Sequence, residues 1–140
     1  MAAFRDTPDH HALALWAADC AEHVLHLFEV QHPADQRPRL AIEAARAWSR
    51  GHLPMTQART AAFAAHAAAR GASTPAACAA ARSAGHAAAT PHVPTHAPHA
   101  AAYALKAATE SGSDHNEREW QEVRLPQHLR PTTIHQKHNG

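Results

Sequence analysis

The sequence predicts an all-α fold: a compact single-domain bundle of five to six helices with an alanine-rich central hairpin. Two counts and one pattern lead there. Alanine accounts for 37 of the 63 apolar residues in a chain of 140, and it has the highest intrinsic helix propensity. Only four Val and two Ile are present, too few for the β-branched runs that strands favour. The larger apolar residues recur every three or four positions, which is the period of one helix face. The domain is expected over residues 1–131, followed by a flexible C-terminal tail over 132–140.

The first helix is expected over residues 10–31, where Leu13, Trp16, Ala17, Cys20, Val24, Leu27 and Phe28 share one arc. Asp19, Glu22, His26 and Glu29 lie opposite. Asp35 is placed to cap a second helix, Pro38 suits its first turn, and Gly51 supplies its stop. Leu40, Ala41, Ala44 and Trp48 form its apolar face, with Arg39, Glu43, Arg46 and Arg50 opposite. Thr56 is read as the cap of a third helix that ends at Gly71 and carries Phe63 as its one large side chain. A fourth opens at Ser73-Thr74-Pro75 and reaches Thr90, its surface marked by Arg82, Ser83, His86 and Thr90.

Pro91, Pro94 and Pro98 interrupt helicity over residues 90–99, since each lacks an N–H and restricts the residue before it. A fifth helix is expected over 98–110, with Ala101, Leu105 and Ala108 on one side and His99, Tyr103, Lys106 and Glu110 on the other. Asp114 and Glu117 read as a capping box opening a sixth helix through Trp120 and Val123, stopped at Pro126. Alanine buries little area but permits close approach of helix axes, which suits the third and fourth helices to the centre of a bundle.

Thirteen Lys and Arg against twelve Asp and Glu give a formal charge of +1, which predicts neither nucleic acid nor an anionic membrane as partner. The balance is local, however. Residues 1–36 sum to −5 and residues 37–82 to +6, the pattern of an acidic helix packed beside a basic one. Fifteen histidines would raise the formal total to +16 in acid. No stretch has the length or apolarity of a membrane span, and the amino terminus lacks a signal core, so a soluble, cytoplasmic protein is expected. Cys20 and Cys78 form no CxxC pair and read as small core residues.

Several residues invite chemistry. His86, His92, His96 and His99 form the best candidate metal constellation, for zinc or another transition metal, because imidazoles bind such ions. Pro94 between His92 and His96, and the lack of an HExxH glutamate, favour capping, core and surface histidines instead. His66 and His86 could meet a partner's carboxylate or phosphate. The preferred reading satisfies them inside the fold, on a backbone carbonyl or an acid such as Asp19. Tyr103 with Lys106 and His99 could move protons, but no nucleotide loop, GxSxG elbow or paired-carboxylate signature accompanies them, so no enzyme is expected. Arg37, Arg39, Arg46 and Arg50 could read phosphate or an acidic partner surface, or equally form a solvated helix face paired to Glu43, and Asp19, Glu22 and Glu29 could offer a local negative patch. Trp16, Trp48 and Trp120 are assigned to the core.

Taken in order, LALWAADCAEHVLHLFE (13–29), RPRLAIEAARAW (37–48), ARTAAFAAHAAAR (58–70), AARSAGHAAATPHVPTHAPHAAAYALKA (80–107) and EREWQEVRLPQHLR (117–130) resemble the Imm5-like immunity proteins of bacterial polymorphic toxin systems. The tryptophan-bearing blocks and the AGHAAAT-HV-H-A-YA-KA spacing are the more specific pieces. The chain departs from the family pattern at Pro91, Pro98 and His99. The resemblance implies an all-α protein that neutralises a cognate toxin by stoichiometric binding. On that reading the candidate binding residues are Asp19, Glu22, Arg39, Arg46, His66, His86, His96 and Tyr103. The alternative is a histidine-rich protein that binds a metal or small ligand, or acts as an enzyme.

Overall fold

The computed structural model describes residues 5–130, and the tail expected over 132–140 lies outside them. Six α-helices follow one another: α1 (Pro8–Glu29), α2 (Arg37–Ser49), α3 (Met55–Arg70), α4 (Pro75–Ala89), α5 (His96–Glu110) and α6 (Glu117–Arg124). A 3-10 turn, Gln127–Leu129, comes after them, and there is no strand among the described residues.

Most helix ends follow from local chemistry. Thr7 is extended and its hydroxyl accepts the His10 N–H at 3.2 Å, while Pro8 opens α1. Thr74 does the same for α4, accepting from the Ala77 N–H at 3.0 Å. Asp35 accepts the Arg37 N–H at 3.1 Å at the start of α2. Gly51, at φ +78°, turns the chain out of that helix.

Three expected starts are corrected. Met55 opens α3, not a residue after a Thr56 cap, because the extended Pro54 offers its carbonyl to the Gln57 and Ala58 N–H groups. The first turn of α5 begins at His96, two residues early. Only Pro91 and Pro94 fall in the turn between helices, and Pro98 occupies a first-turn position that needs no N–H donor. At α6 the left-handed Asn116 (φ +66°) makes the entry, Asp114 contributes only its backbone carbonyl, and the Glu117 side chain turns inward.

Helix α4 is the centre of the bundle and packs against α1, α2, α3 and α5. Nine of its fifteen residues are alanine, so four neighbours can approach it at once. Bulk comes from α1 and α2, which bury Trp16, Val24, Leu25, Phe28, Ile42 and Trp48. Leu40 does not face the core as expected but is 51% exposed. With α1, α3 and α4 all on the inner side of α2, the buried arc centres on Ala41, Ala45 and Trp48. The outer face of α3 is open, and Phe63 lies there at 60% exposure with the Arg59 guanidinium 5.5 Å above its ring. Ser83 and Thr90, expected on the surface of α4, are buried. The Ser83 hydroxyl donates to the Ala100 carbonyl of α5 at 2.7 Å, and the Thr90 carbonyl takes the His10 ring at 2.7 Å.

Polar links fasten the outer helices. Trp16 Nε1 donates to the Gln121 carbonyl at 2.8 Å, and the Gln121 amide donates to the Ala101 carbonyl at 2.9 Å. His23 Nδ1 meets the buried Glu117 carboxylate at 2.8 Å while its ring stacks on Trp120. Between α1 and α2, Arg46 donates to both Asp19 and Glu22 at 2.8 Å, and Arg39 grips Glu29 with two bonds of 2.8 and 2.6 Å.

Candidate functional site

One face of the bundle gathers imidazoles from three helices. His96, His99 and Tyr103 stand at i, i+3 and i+7 on α5, and therefore on one side of it. His86 of α4 lies among them, with ring centroids 5.1 Å from His96, 5.3 Å from His99 and 5.3 Å from Tyr103, the last nearly parallel at 8°. His66 of α3 closes the group edge-on to His86 at 5.0 Å. The Nδ1 atoms of His86 and His96 are 2.9 Å apart, so one ring carries an N–H there and donates to the lone pair of the other.

Gly85 makes this arrangement possible. A Cβ at that position would stand 2.6 Å from Cε1 and Nε2 of His66, well inside contact distance. Glycine in a helix interior costs about 1 kcal/mol relative to alanine. In a helix otherwise dominated by alanine, the missing methyl leaves room for the His66 ring.

Burial dominates the electrostatics. It lowers the pKa of His86 to about 4, with His66, His96, His99 and Arg82 adding like-charge repulsion. His66 is lowered by burial, then by Arg82, His96 and Arg70, and His96 by burial, then by His99 and His92. Every charged neighbour acting on these three rings is basic. At neutral pH His66, His86 and His96 are therefore held in the uncharged form, each with one N–H and one lone pair, with the Arg82 guanidinium alongside.

Of the residues singled out from sequence, His66, His86, His96, His99 and Tyr103 come together. Asp19, Glu22, Arg39 and Arg46 stand apart, tied to one another or to Glu29 in the ion pairs joining α1 to α2. His66 and His86 find neither a carbonyl nor Asp19, which is held by Arg46; His86 pairs with another imidazole. His92 sits in the turn before α5, and its buried Nδ1 has no hydrogen-bond partner. Among the described residues no three His, Cys, Asp or Glu side chains are arranged to hold a metal ion. Two nitrogens on one tetrahedral zinc stand about 3.3 Å apart, whereas the His86–His96 separation is that of a hydrogen bond. Gly85 and Arg82 complete the site. The single glycine of α4, one residue before a histidine, is the sequence signal that marks it.

A second concave feature lies on the other side of α5. A largely apolar cavity of about 570 Å³ is lined by Leu13, Trp16, Leu105, Leu125 and Leu129, with none of the clustered histidines in its wall. The imidazoles therefore do not furnish it. Cys20 is buried with its thiol pKa pushed up by burial, the state of an inert core residue. Among the described residues no helix is long and apolar enough to cross a membrane.

A family model described as Imm-5 like putative immunity protein matches residues 5–128. The chain belongs to this Imm5-like family. No curated protein and no solved structure matches it. The matched span contains all six helices of this Imm5-like protein and every residue of the histidine face.

Proposed function

We propose that this protein neutralises a cognate bacterial toxin by stoichiometric binding, covering the toxin's active site or substrate groove without chemical turnover. Membership of the Imm5-like family over residues 5–128 carries the reading. The architecture supports it. Methyl-sized side chains around α4 give a densely packed body, and its unpaired charged side chains Arg59, Arg70 and Lys106 are exposed. Binding by shape and complementary charge suits such a body. The binding is proposed to take place in the cytoplasm.

Co-expression with the toxin encoded by the neighbouring gene tests the proposal. Rescue from lethality and co-purification as one complex are expected. Lethality undiminished by a well-expressed protein refutes it.

A further inference from the structure

The chain contains no Asp or Glu between Glu43 and Glu110. Helices α3 and α4, and α5 up to its last residue, therefore contribute arginine, lysine and histidine but no carboxylate. Elsewhere many of the acids are engaged: Asp6 by His11, Asp19 and Glu22 by Arg46, Glu29 by Arg39, Asp35 by Arg37, Glu117 by His23 and Asp9 by His128. Among the described residues no ion pair reaches Arg59, Arg70, Arg82 or Lys106. The imidazole cluster stands on this acid-free stretch of the three helices, with Glu110 at the last position of α5 as the next acid along the chain.

Its donors are largely unspent. The His86–His96 contact uses one nitrogen of each ring, and the side chains of His66, His99 and Tyr103 make no hydrogen bond among the described residues. His99 is exposed and the other rings are half-buried, so an incoming group can reach them. Donors that converge without an internal acceptor match an acceptor supplied from outside.

We propose that the face formed by His66, Arg82, His86, His96, His99 and Tyr103 receives a carboxylate, presented by an Asp or Glu side chain of the partner. The inference rests on the toxin-binding reading for the identity of the partner. A planar carboxylate accepts up to four hydrogen bonds at short range, which suits N–H and O–H donors from three helices. A nucleic acid backbone would need a track of cations spaced along the surface. Here burial holds His66, His86 and His96 uncharged at neutral pH, the net charge is only +1, and α1 and α6 bring acids to the same body. An anion at the cluster favours the imidazolium form, so binding takes up a proton and tightens as the pH is lowered from 7.5 to 6. The groups facing the cluster are His66 and Arg70 from α3, Arg82 from α4, His96, His99 and Tyr103 from α5, and His92 from the intervening turn. None of them opposes this direction with a negative charge at these pH values.

The experiment uses two probes on the intact protein. A capped hexaglutamate peptide is titrated at low salt while the imidazole resonances are followed by NMR, with an oligothymidylate of equal charge in parallel. The neighbouring gene's toxin is titrated by calorimetry at pH 7.5 and 6. Hexaglutamate is expected to shift the resonances of His86, His96 and His99. Tyr103→Phe, His99→Gln and Arg82→Gln should each weaken both hexaglutamate and toxin binding about tenfold, the equivalent of one charge-assisted hydrogen bond. Glu43→Gln, exposed on α2, should leave both unchanged. Because Tyr103→Phe and His99→Gln alter partly or fully exposed groups, circular dichroism confirms that each variant is folded before its affinity is read.

Toxin that binds these variants as tightly as the parent, or oligothymidylate that displaces hexaglutamate, overturns the carboxylate site. Hexaglutamate bound at the cluster while the toxin does not bind at all would leave the site standing and remove the toxin-binding reading.

Discussion

Replacing Gly85 by alanine places a methyl group where His66 now lies, and the outcome depends on which of two opposing effects is larger. Alanine gains about 0.5–1 kcal/mol of helix propensity over glycine. Against that, a Cβ 2.6 Å from two His66 ring atoms must drive the ring away by roughly 1 Å to restore normal contact distance. His66 is half-buried and sits at the end of a flexible side chain, so it can swing outward. In doing so it loses its edge contact with His86, about 0.5–1.5 kcal/mol, and about 1 kcal/mol of ring burial. The parent should thus be destabilised by about 0.5–2 kcal/mol. With His66 already replaced by alanine, the same change should stabilise by about 0.5–1 kcal/mol, giving a coupling near 2 kcal/mol. Urea unfolding followed by far-ultraviolet circular dichroism supplies all four corners of the cycle, provided the m-value is unchanged. Equal stabilisation in both backgrounds would show that Gly85 does not make room for His66.

Other expectations follow from the packing and the titrations. Ala88→Leu, at a fully buried position on α4, should cost about 1–3 kcal/mol through overpacking, and an unchanged urea midpoint would contradict the tight seam. Removing the Trp16 Nε1 donor with Trp16→Phe should cost about 1–2 kcal/mol, because the Gln121 carbonyl loses its 2.8 Å bond and keeps only the 3.2 Å one from the Leu125 N–H; a change in midpoint within error argues against the link to α6. Arg46→Ala, whose two ion pairs are largely solvent-facing, should cost under about 1 kcal/mol and become neutral in high salt. The histidine rings protonate near pH 6.5 when unfolded, while His86 in the fold resists until about pH 4. Stability from this ring is therefore complete above pH 6.5 and drains as the pH falls toward 4. A His86→Gln variant should show a shallower loss over that window, and parallel curves for the two proteins would be the contrary result.

The number and order of helices were legible because capping residues and stops mark most boundaries locally: Thr74-Pro75 before α4, Gly51 after α2 and Gly71 after α3. Where sequence reasoning failed, the competing signal was also local but weaker. Thr56 looked like a better cap than Pro54, and Glu117 looked like a capping partner when its carboxylate was needed by His23 and Gln121, far away in sequence or across the helix. Leu40 illustrates a different limit, since an apolar stripe does not reveal how many neighbours a helix will have.

The functional face was half legible. His86, His92, His96 and His99 were legible as one group and Tyr103 with His99 as another; the two merge because α5 starts at His96, two residues earlier than expected, which puts His96 on the same helical side as His99 and Tyr103, while His92 stays in the preceding turn. Periodicity within one helix could not show that His66, two helices away by chain order, joins them through the gap at Gly85. The opposed charges of residues 1–36 and 37–82 resolved into Arg46 bridging Asp19 and Glu22 and Arg39 holding Glu29, while Arg59, Arg70, Arg82 and Lys106 have no ion pair among the described residues.

The most discriminating observation is the mole ratio at which this protein silences its toxin. Purified toxin from the neighbouring gene, assayed for its own activity against increasing amounts of the Imm5-like protein, should lose activity linearly and reach zero at one equivalent, with both chains recovered unmodified by mass spectrometry. Inactivation by a small fraction of an equivalent, or a covalent change in the toxin, would mean that the protein acts by catalysis and not by occupancy.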